Sequence, residues 1–234
     1  MKHTLIWVGL IGSAILSTSP SSAESLIWGV QVEQLEHRYN DNGSNAIAWD
    51  GDAIVGTDEL KFVLRSEGEF ETDGDVMETL ETQARLQKPI STFFDAVVGV
   101  RADTPEGPDR FHGVVGVKGL APQWFEVDAD LYLSEHPSFR VEAEYEALIT
   151  NRLILTPSIE VDIPFTDDRE IEIGAWGPKL EVGARLSYDV LDRSIAPYVG
   201  VHYERTFGET RDIALEDGKE GDALFFVTGI RLMY

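Results

Sequence analysis

The chain has 234 residues, a formal net charge of −23 and no cysteine. So acidic a surface repels a phosphate backbone and excludes nucleic acid as a partner, whereas cations are drawn to it. Without thiols neither a disulfide framework nor a thiolate metal site can form, and no Pro/Gly/Ser-rich linker divides the chain into two domains.

The first element is a targeting segment. Lys2 and His3 give a basic start, Leu5 to Leu16 form an apolar run, and Ser21, Ser22 and Ala23 supply the small residues a signal peptidase needs. The pattern predicts a signal peptide over 1–23 and a mature domain over 24–234. An apolar run of about a dozen residues is short against the roughly 20 needed to cross a bilayer. No later stretch reaches that length, so a mature membrane protein would have to be a β-barrel.

From Leu26 onward, segments of roughly ten residues with period-2 alternation recur about twelve times. Their apolar faces begin with Trp28, Val30 and Val32, then a weak strand around Ala46 to Val55, then Leu60, Phe62 and Leu64. Leu80, Ala84 and Leu86 follow, then Phe94, Ala96, Val98 and Val100, then Val115 and Val117. The middle strands offer Phe125, Val127, Ala129, Leu131 and Leu133, then Phe139, Val141, Ala143, Tyr145 and Ala147, then Leu153, Leu155, Ile159 and Val161. The last three offer Leu180, Val182, Ala184, Leu186 and Tyr188, then Val199, Val201 and Tyr203, and finally Leu224, Phe226, Ile230, Leu232 and Tyr234.

The opposite faces are charged. Glu126, Asp128 and Asp130 share one strand, Arg140, Glu142, Glu144 and Glu146 the next, and Lys179, Glu181 and Arg185 a later one. A soluble sandwich and a membrane barrel both alternate in this way; they differ in whether the apolar faces meet in a core or turn toward lipid. Three features favour the barrel. The first is the signal peptide; the second is the final strand, whose ending resembles the terminal aromatic signature of bacterial outer-membrane proteins. The third is the connections, which are short around 56–58, 88–91, 121–123, 150–152 and 191–194, whereas the alternate set includes the long stretches Pro164 to Pro178 and Gly208 to Asp222. The expectation is an all-β fold, a transmembrane antiparallel up-and-down β-barrel of about 12 strands, with Trp28, Trp49, Phe93, Trp124, Tyr188 and Tyr234 as interfacial aromatics.

Particular runs carry a family resemblance. Gln34-Leu35-Glu36-His37-Arg38, Ala48-Trp49-Asp50-Gly51 and Glu67-Gly68-Glu69 are followed in order by Gly99-Val100-Arg101 and Gly119-Leu120-Ala121-Pro122 with Trp124-Phe125-Glu126-Val127. Ala196-Pro197-Tyr198-Val199-Gly200-Val201 with Glu204-Arg205, and Gly229-Ile230-Arg231, complete the set. Together they resemble the barrel of the copper resistance protein B family of bacterial outer-membrane proteins. The resemblance implies copper homeostasis at the outer membrane of a Gram-negative bacterium, by binding copper ions or assisting their export from the periplasm. Copper ions, outer-membrane lipid and periplasmic copper-handling proteins are the partners it implies. Many members carry a Met- and His-rich segment ahead of the barrel; here the expected barrel starts almost directly after Ala23, and Met77 and Met233 are the methionines that follow it.

Strand parity places His37 with Gln31 and Glu33, His112 with Lys118, and His202 with Glu204, each on the face away from lipid, and Met77 with Glu81 and Arg85. Imidazole and carboxylate suit divalent copper, so His37, His112, His202, Glu204 and Met77 are the candidate metal ligands. No close ligand spacing ties them together, which favours reading them as polar residues facing a wet lumen. A narrow cation-preferring passive pore is the alternative function, with Arg101, Arg140, Arg185 and Arg231 either lining it or tying its carboxylates into a plug. No enzyme is expected: no Gly-x-Ser-x-Gly elbow occurs, and the strand histidines fall on the lumen face. Asp167, Asp168, Glu209, Asp212, Glu216, Asp217 and Glu220 in the long loops could hold calcium or bridge to lipid phosphates, but no Asp-x-Asp-x-Asp-Gly loop is present and they read as a solvated acidic run.

Overall fold

The computed structural model describes residues 25–40, 45–72, 74–104, 107–191, 193–216 and 218–234; the signal peptide expected over 1–23 lies outside them. Among these residues thirteen strand segments make one sheet. They are β1 (Ile27–Asn40), β2 (Asn45–Gly56), β3 (Lys61–Glu71), β4 (Val76–Pro89), β5 (Phe94–Thr104), β6 (Arg110–Ala121) and β7 (Phe125–Leu133). β8 (Ser138–Glu144), β9 (Ala147–Leu148), β10 (Leu153–Pro164), β11 (Lys179–Tyr188), β12 (Ile195–Thr206) and β13 (Asp222–Met233) follow. β8 and β9 both pair with β10 and form one stave, interrupted at Tyr145 and Glu146. The result is a closed antiparallel barrel of 12 strands.

The last strand makes the seam. β13 pairs antiparallel with β1 from Gln31↔Met233 to Asn40↔Phe225, and Val30 and Tyr234 exchange backbone hydrogen bonds of 2.9 Å. Tyr234 also meets Trp28 ring to ring at 5.5 Å. Closure leaves no unpaired edge, which is what allows a strand ending Ile230-Arg231-Leu232-Met233-Tyr234 to be so apolar.

Burial is inverted relative to a soluble domain. Phe226 is 61% exposed and Val98, Val199 and Leu133 are similarly open, whereas Arg85 is 1% and Gln83 0% exposed. The apolar faces thus form the outer wall and the charged faces fill the interior, as a membrane-spanning barrel requires. Trp28, Phe93, Trp124, Tyr188 and Tyr234 all stand exposed at the end that holds the start of β1 and the C-terminal Tyr234, the terminal end. Trp49 departs from the expected girdle. It sits five residues into β2 with its ring over Gly68, where a Cβ would lie 2.3 Å from Cζ2, and its Nε1–H donates to Ser66 Oγ at 3.3 Å.

Two irregularities decide which residues look inward. In β1 the register shifts between Val32 and Gln34 against β2, and again between Val32 and Glu36 against β13. In the β3–β4 pair it shifts between Glu69 and Phe70. A single extra residue in one strand exchanges the inner and outer sets beyond it.

The connections expected to be short around 56–58, 88–91, 121–123, 150–152 and 191–194 all lie at one end, and the two longest connections lie at the other, beside short ones such as 134–137. The segment after β12 contains an α-helix, α1 (Gly208–Glu216), where the acidic composition suggested only a solvated loop. Thr210 explains how it is fixed: its Oγ1 accepts from Gly174 N–H at 3.1 Å and donates to Gly177 O at 2.7 Å. That joins α1 to the connection between β10 and β11. The same connection is clamped from the other side by Arg110, whose Nε and Nη2 donate to Asp168 at 2.8 Å each and whose Nη2 also meets Glu170 at 2.8 Å. His136 Nδ1–H donates to Asp167 O at 2.9 Å, and Asp167 Oδ1 accepts from Ala175 N–H at 2.7 Å. These acids are therefore structural partners that draw the loops together over the mouth of the barrel.

Two outcomes follow from this packing. Gly116 faces inward where a Cβ would come 2.5 Å from Ala129 O, so Gly116→Ala should cost about 1–3 kcal/mol by forcing β6 from β7, read as a lower temperature for loss of the compact form on SDS gels. Val115→Leu, on the open outer face, should leave that temperature unchanged. Hydrogen bonds from Arg110 hold the Asp168 carboxyl below the usual carboxylate range. A depressed value stabilises the folded loop above the unfolded value of about 3.9 and loses that contribution as pH falls through the folded one. Protection of amides 165–178, taken relative to intrinsic exchange rates, should fall in the parent chain as pH is lowered from 7 through the carboxylate range, whereas in Asp168→Asn it should be low throughout.

Candidate functional site: the charged lumen

Because each strand turns every second residue inward, the interior collects the carboxylates and guanidiniums of all twelve staves. They surround a cavity of about 730 Å³ that reaches from Glu33, Lys118 and Glu126 to Thr210 and Lys219 beneath the loops. Its lining holds roughly twice as many carboxylates as Lys and Arg side chains.

The arginines work as cross-braces. Arg65 on β3 reaches Glu142 on β8 at 2.9 Å, Asp50 at 3.4 Å and Asp128 at 3.5 Å, and also pairs with Glu67. Arg140 on β8 meets Glu160 at 3.1 Å, Glu81 at 3.2 Å, Asp162 at 3.3 Å and Glu67 at 3.4 Å. Arg85 holds Asp128 through both terminal nitrogens, at 2.9 and 3.1 Å, and Asp130 as well. Arg185 donates to Glu36 and Gln34 at 2.8 Å, and Tyr198 O–H to Glu36 at 2.9 Å. Arg231 reaches Glu146 at 2.7 Å. Arg101, Arg140, Arg185 and Arg231 thus tie carboxylates as the sequence suggested. Arg38, Arg65 and Arg85 join them; only the three-dimensional closure shows that their partners lie across the lumen.

The candidate ligands separate into two groups. His202 and Glu204 point inward together, with Nε2 of the imidazole 3.0 Å from Glu204 Oε1 and 3.2 Å from Glu181 Oε2. Glu181, His202 and Glu204 bring three ligand atoms within 4.8 Å of one another. Glu181 escaped the sequence reading because it comes from the neighbouring strand, where register sets it directly opposite Glu204 and Gly183 opposite His202. Lys179 bridges the two carboxylates, at 2.8 Å to Glu181 Oε1 and 2.9 Å to Glu204 Oε2, and Arg38 Nη1 lies 3.2 Å from Glu204 Oε1. His112 is also interior, with Nε2 3.2 Å from Asp103 Oδ2 and its ring edge-on to Tyr132 at 6.1 Å. It stands on the opposite side of the barrel from His202 and adds no ligand to that cluster.

His37 and Met77 are not interior. Beyond the shift in β1 it is Glu36 and Arg38 that are buried in the lumen, while His37 pairs with the exposed Ile47 and Thr228 and stacks on Tyr39 at 4.1 Å. Met77 pairs with Phe70, which pairs with Ile47, so it continues the same outer row. The expectation that both faced the lumen assumed unbroken alternation, and a bulge overturns it in each strand.

The comparisons with known proteins agree with this architecture. A family model described as "Copper resistance protein B precursor (CopB)" matches residues 26–234. The chain is 34% identical over 207 residues to copper resistance protein B of Escherichia coli, covering 88% of this chain and 69% of that protein. It is likewise 34% identical over 205 residues to the copper resistance protein B homolog of Pseudomonas syringae pv. tomato, covering 87% and 68%. Among solved structures, the NanC porin superposes with a TM-score of 0.54 at 10% identity, covering 88% of this chain and 99% of that one. A membrane protein solved in a study of in-meso crystallization superposes with a TM-score of 0.55 at 10% identity, covering 89% and 83%. Those two structures share the fold. A match running from the first strand to the sealing Tyr234, with two relatives at one third identity, shows that the chain belongs to the copper resistance protein B family.

Proposed function

We propose that the protein is a copper-homeostasis barrel of the outer membrane, carrying a cleavable leader over 1–23, that binds copper ions or assists their export from the periplasm through its acidic lumen. One observation carries the reading. The interior cavity is lined by an excess of carboxylates and contains an imidazole facing two of them, Glu181 and Glu204, a nitrogen–oxygen donor set that suits divalent copper. The family supplies the connection to copper resistance. The outer wall of Leu, Val, Ile and Phe meets lipid, and the terminal end, with its short turns, faces the periplasm, where copper-handling proteins would meet the barrel. This reading gives the chain no catalytic step.

Copper tolerance and periplasmic copper should both respond to the gene. A deletion strain should show lower tolerance and altered periplasmic copper, and complementation with the intact chain should restore both. Unchanged copper handling on deletion would overturn the proposal.

A second reading, a narrow cation-preferring pore, is favoured by the continuity of the cavity along the lumen. The braces oppose it, since Arg140 alone gathers four carboxylates that would otherwise line a conduit. In planar bilayers the intact barrel should conduct K⁺ little, and Arg140→Ala, checked for its folded form on gels, should conduct more and prefer cations. Steady cation-selective conductance from the intact barrel would favour the pore.

A further inference from the structure

The cluster on β11 and β12 has more order than an acidic patch. An ion held by imidazole nitrogen and carboxylate oxygen at about 2.0–2.2 Å keeps neighbouring ligand atoms about 3 Å apart. His202 Nε2 already stands 3.0 and 3.2 Å from one oxygen of each of Glu204 and Glu181. The other oxygen of each carboxylate is taken by a single ammonium, Lys179 Nζ, at 2.9 and 2.8 Å. Each glutamate thus divides its two oxygens between the imidazole and the lysine. His202 Nδ1 is buried with no hydrogen-bond partner, so Nε2 carries the polar chemistry of the ring.

Exposure separates the members. The His202 side chain is 5% exposed and cannot leave, whereas that of Lys179 is 43% exposed. Lys179 is the first residue of β11, next to the loop that roofs the lumen, so its long stem can swing the ammonium into water without disturbing a strand. Arg38 is different: it is buried and held by Glu36 and Glu69 as well as Glu204, so it stays.

We propose that Glu181, His202 and Glu204 form a transit site for a divalent transition-metal ion, and that Lys179 is a tethered cation that fills the site between ions and is displaced by each arrival. The inference rests on the copper reading above and adds its mechanism of release. Two carboxylates and an imidazole would otherwise hold Cu²⁺ more tightly than other first-row divalent ions and let it go slowly. A lysine that returns to the same oxygens competes for them, lowers the affinity and offsets the cost of leaving Glu181 without a cation and Glu204 with Arg38 alone when the ion departs. The site is thereby suited to passage rather than storage.

The test is Cu²⁺ titration of the purified, folded barrel in detergent by calorimetry, with electron paramagnetic resonance of the bound ion as a second readout. The intact chain should bind one Cu²⁺ weakly with a nitrogen hyperfine signal. Lys179→Met should bind it at least about ten-fold more tightly, because a positive charge close to the ion is gone. Lys179→Met combined with His202→Ala should lose both the tight binding and the nitrogen signal. Lys219→Met serves as the charge control: Lys219 pairs with Glu172 in the loops, on the same cavity wall. Equal tightening in Lys219→Met and Lys179→Met would overturn the lysine's role, as would unchanged affinity in Lys179→Met. If no variant binds Cu²⁺ while the intact gene still restores copper tolerance, the transit site is wrong and the copper reading stands.

Discussion

A charge sealed inside a barrel must find its opposite there, and the cross-lumen arginine–carboxylate pairs are the interaction on which this structure depends. With the apolar faces committed to lipid, the interior receives what would be the surface of a soluble protein. Removing one partner from a buried pair costs about 3–5 kcal/mol, because the charge left behind has neither water nor counter-ion. Arg65, Arg85 and Arg140 each serve several carboxylates from different strands, so the braces act as a network rather than as separate pairs. The same network narrows the lumen. What remains open is a cavity whose lining stays acidic because carboxylates outnumber the cations available to pair with them.

The carboxylates are met by two kinds of cation. Most interior carboxylates are committed to arginines, whose planar forks bind two oxygens at once and do not dissociate readily. Glu181 and Glu204 share a lysine, a compact point charge on a flexible stem, and Glu204 meets Arg38 as well. The difference between a brace and a displaceable counter-ion lies in that choice of residue. It falls beside a buried imidazole, near the mouth where the loops are tied by Thr210, Arg110 and Asp168.

Much of the fold was legible in the residues. Period-2 alternation from Leu26 to Tyr234, charges on one face and Leu, Val, Ile and Phe on the other, long connections at one end and short turns at the other all survive in the structure. The site was half legible. His202 and Glu204 lie two apart on one strand, so parity placed them correctly, and the same held for His112. Glu181 needed the β11–β12 register, which no single strand's pattern contains. α1 was hidden because its few apolar residues follow no clear helical stripe, and it is held by Thr210 against a neighbouring loop rather than by a buried face of its own.

The sequence by itself determined the wall: alternation with an apolar outer set admits one arrangement in lipid, a closed sheet sealed by β13 against β1. Only the tertiary structure decided what the lumen sees. The shifts in β1 and near Met77 exchange inner and outer residues, turning His37 and Met77 toward the outside and bringing Glu36 and Arg38 in. A bulge is a property of how two strands hydrogen-bond, not of either strand's composition, so parity counted along one strand fails beyond it. The cluster of Glu181, His202 and Glu204 exists for the same reason, since register between β11 and β12, rather than spacing within either, sets its three ligand atoms side by side.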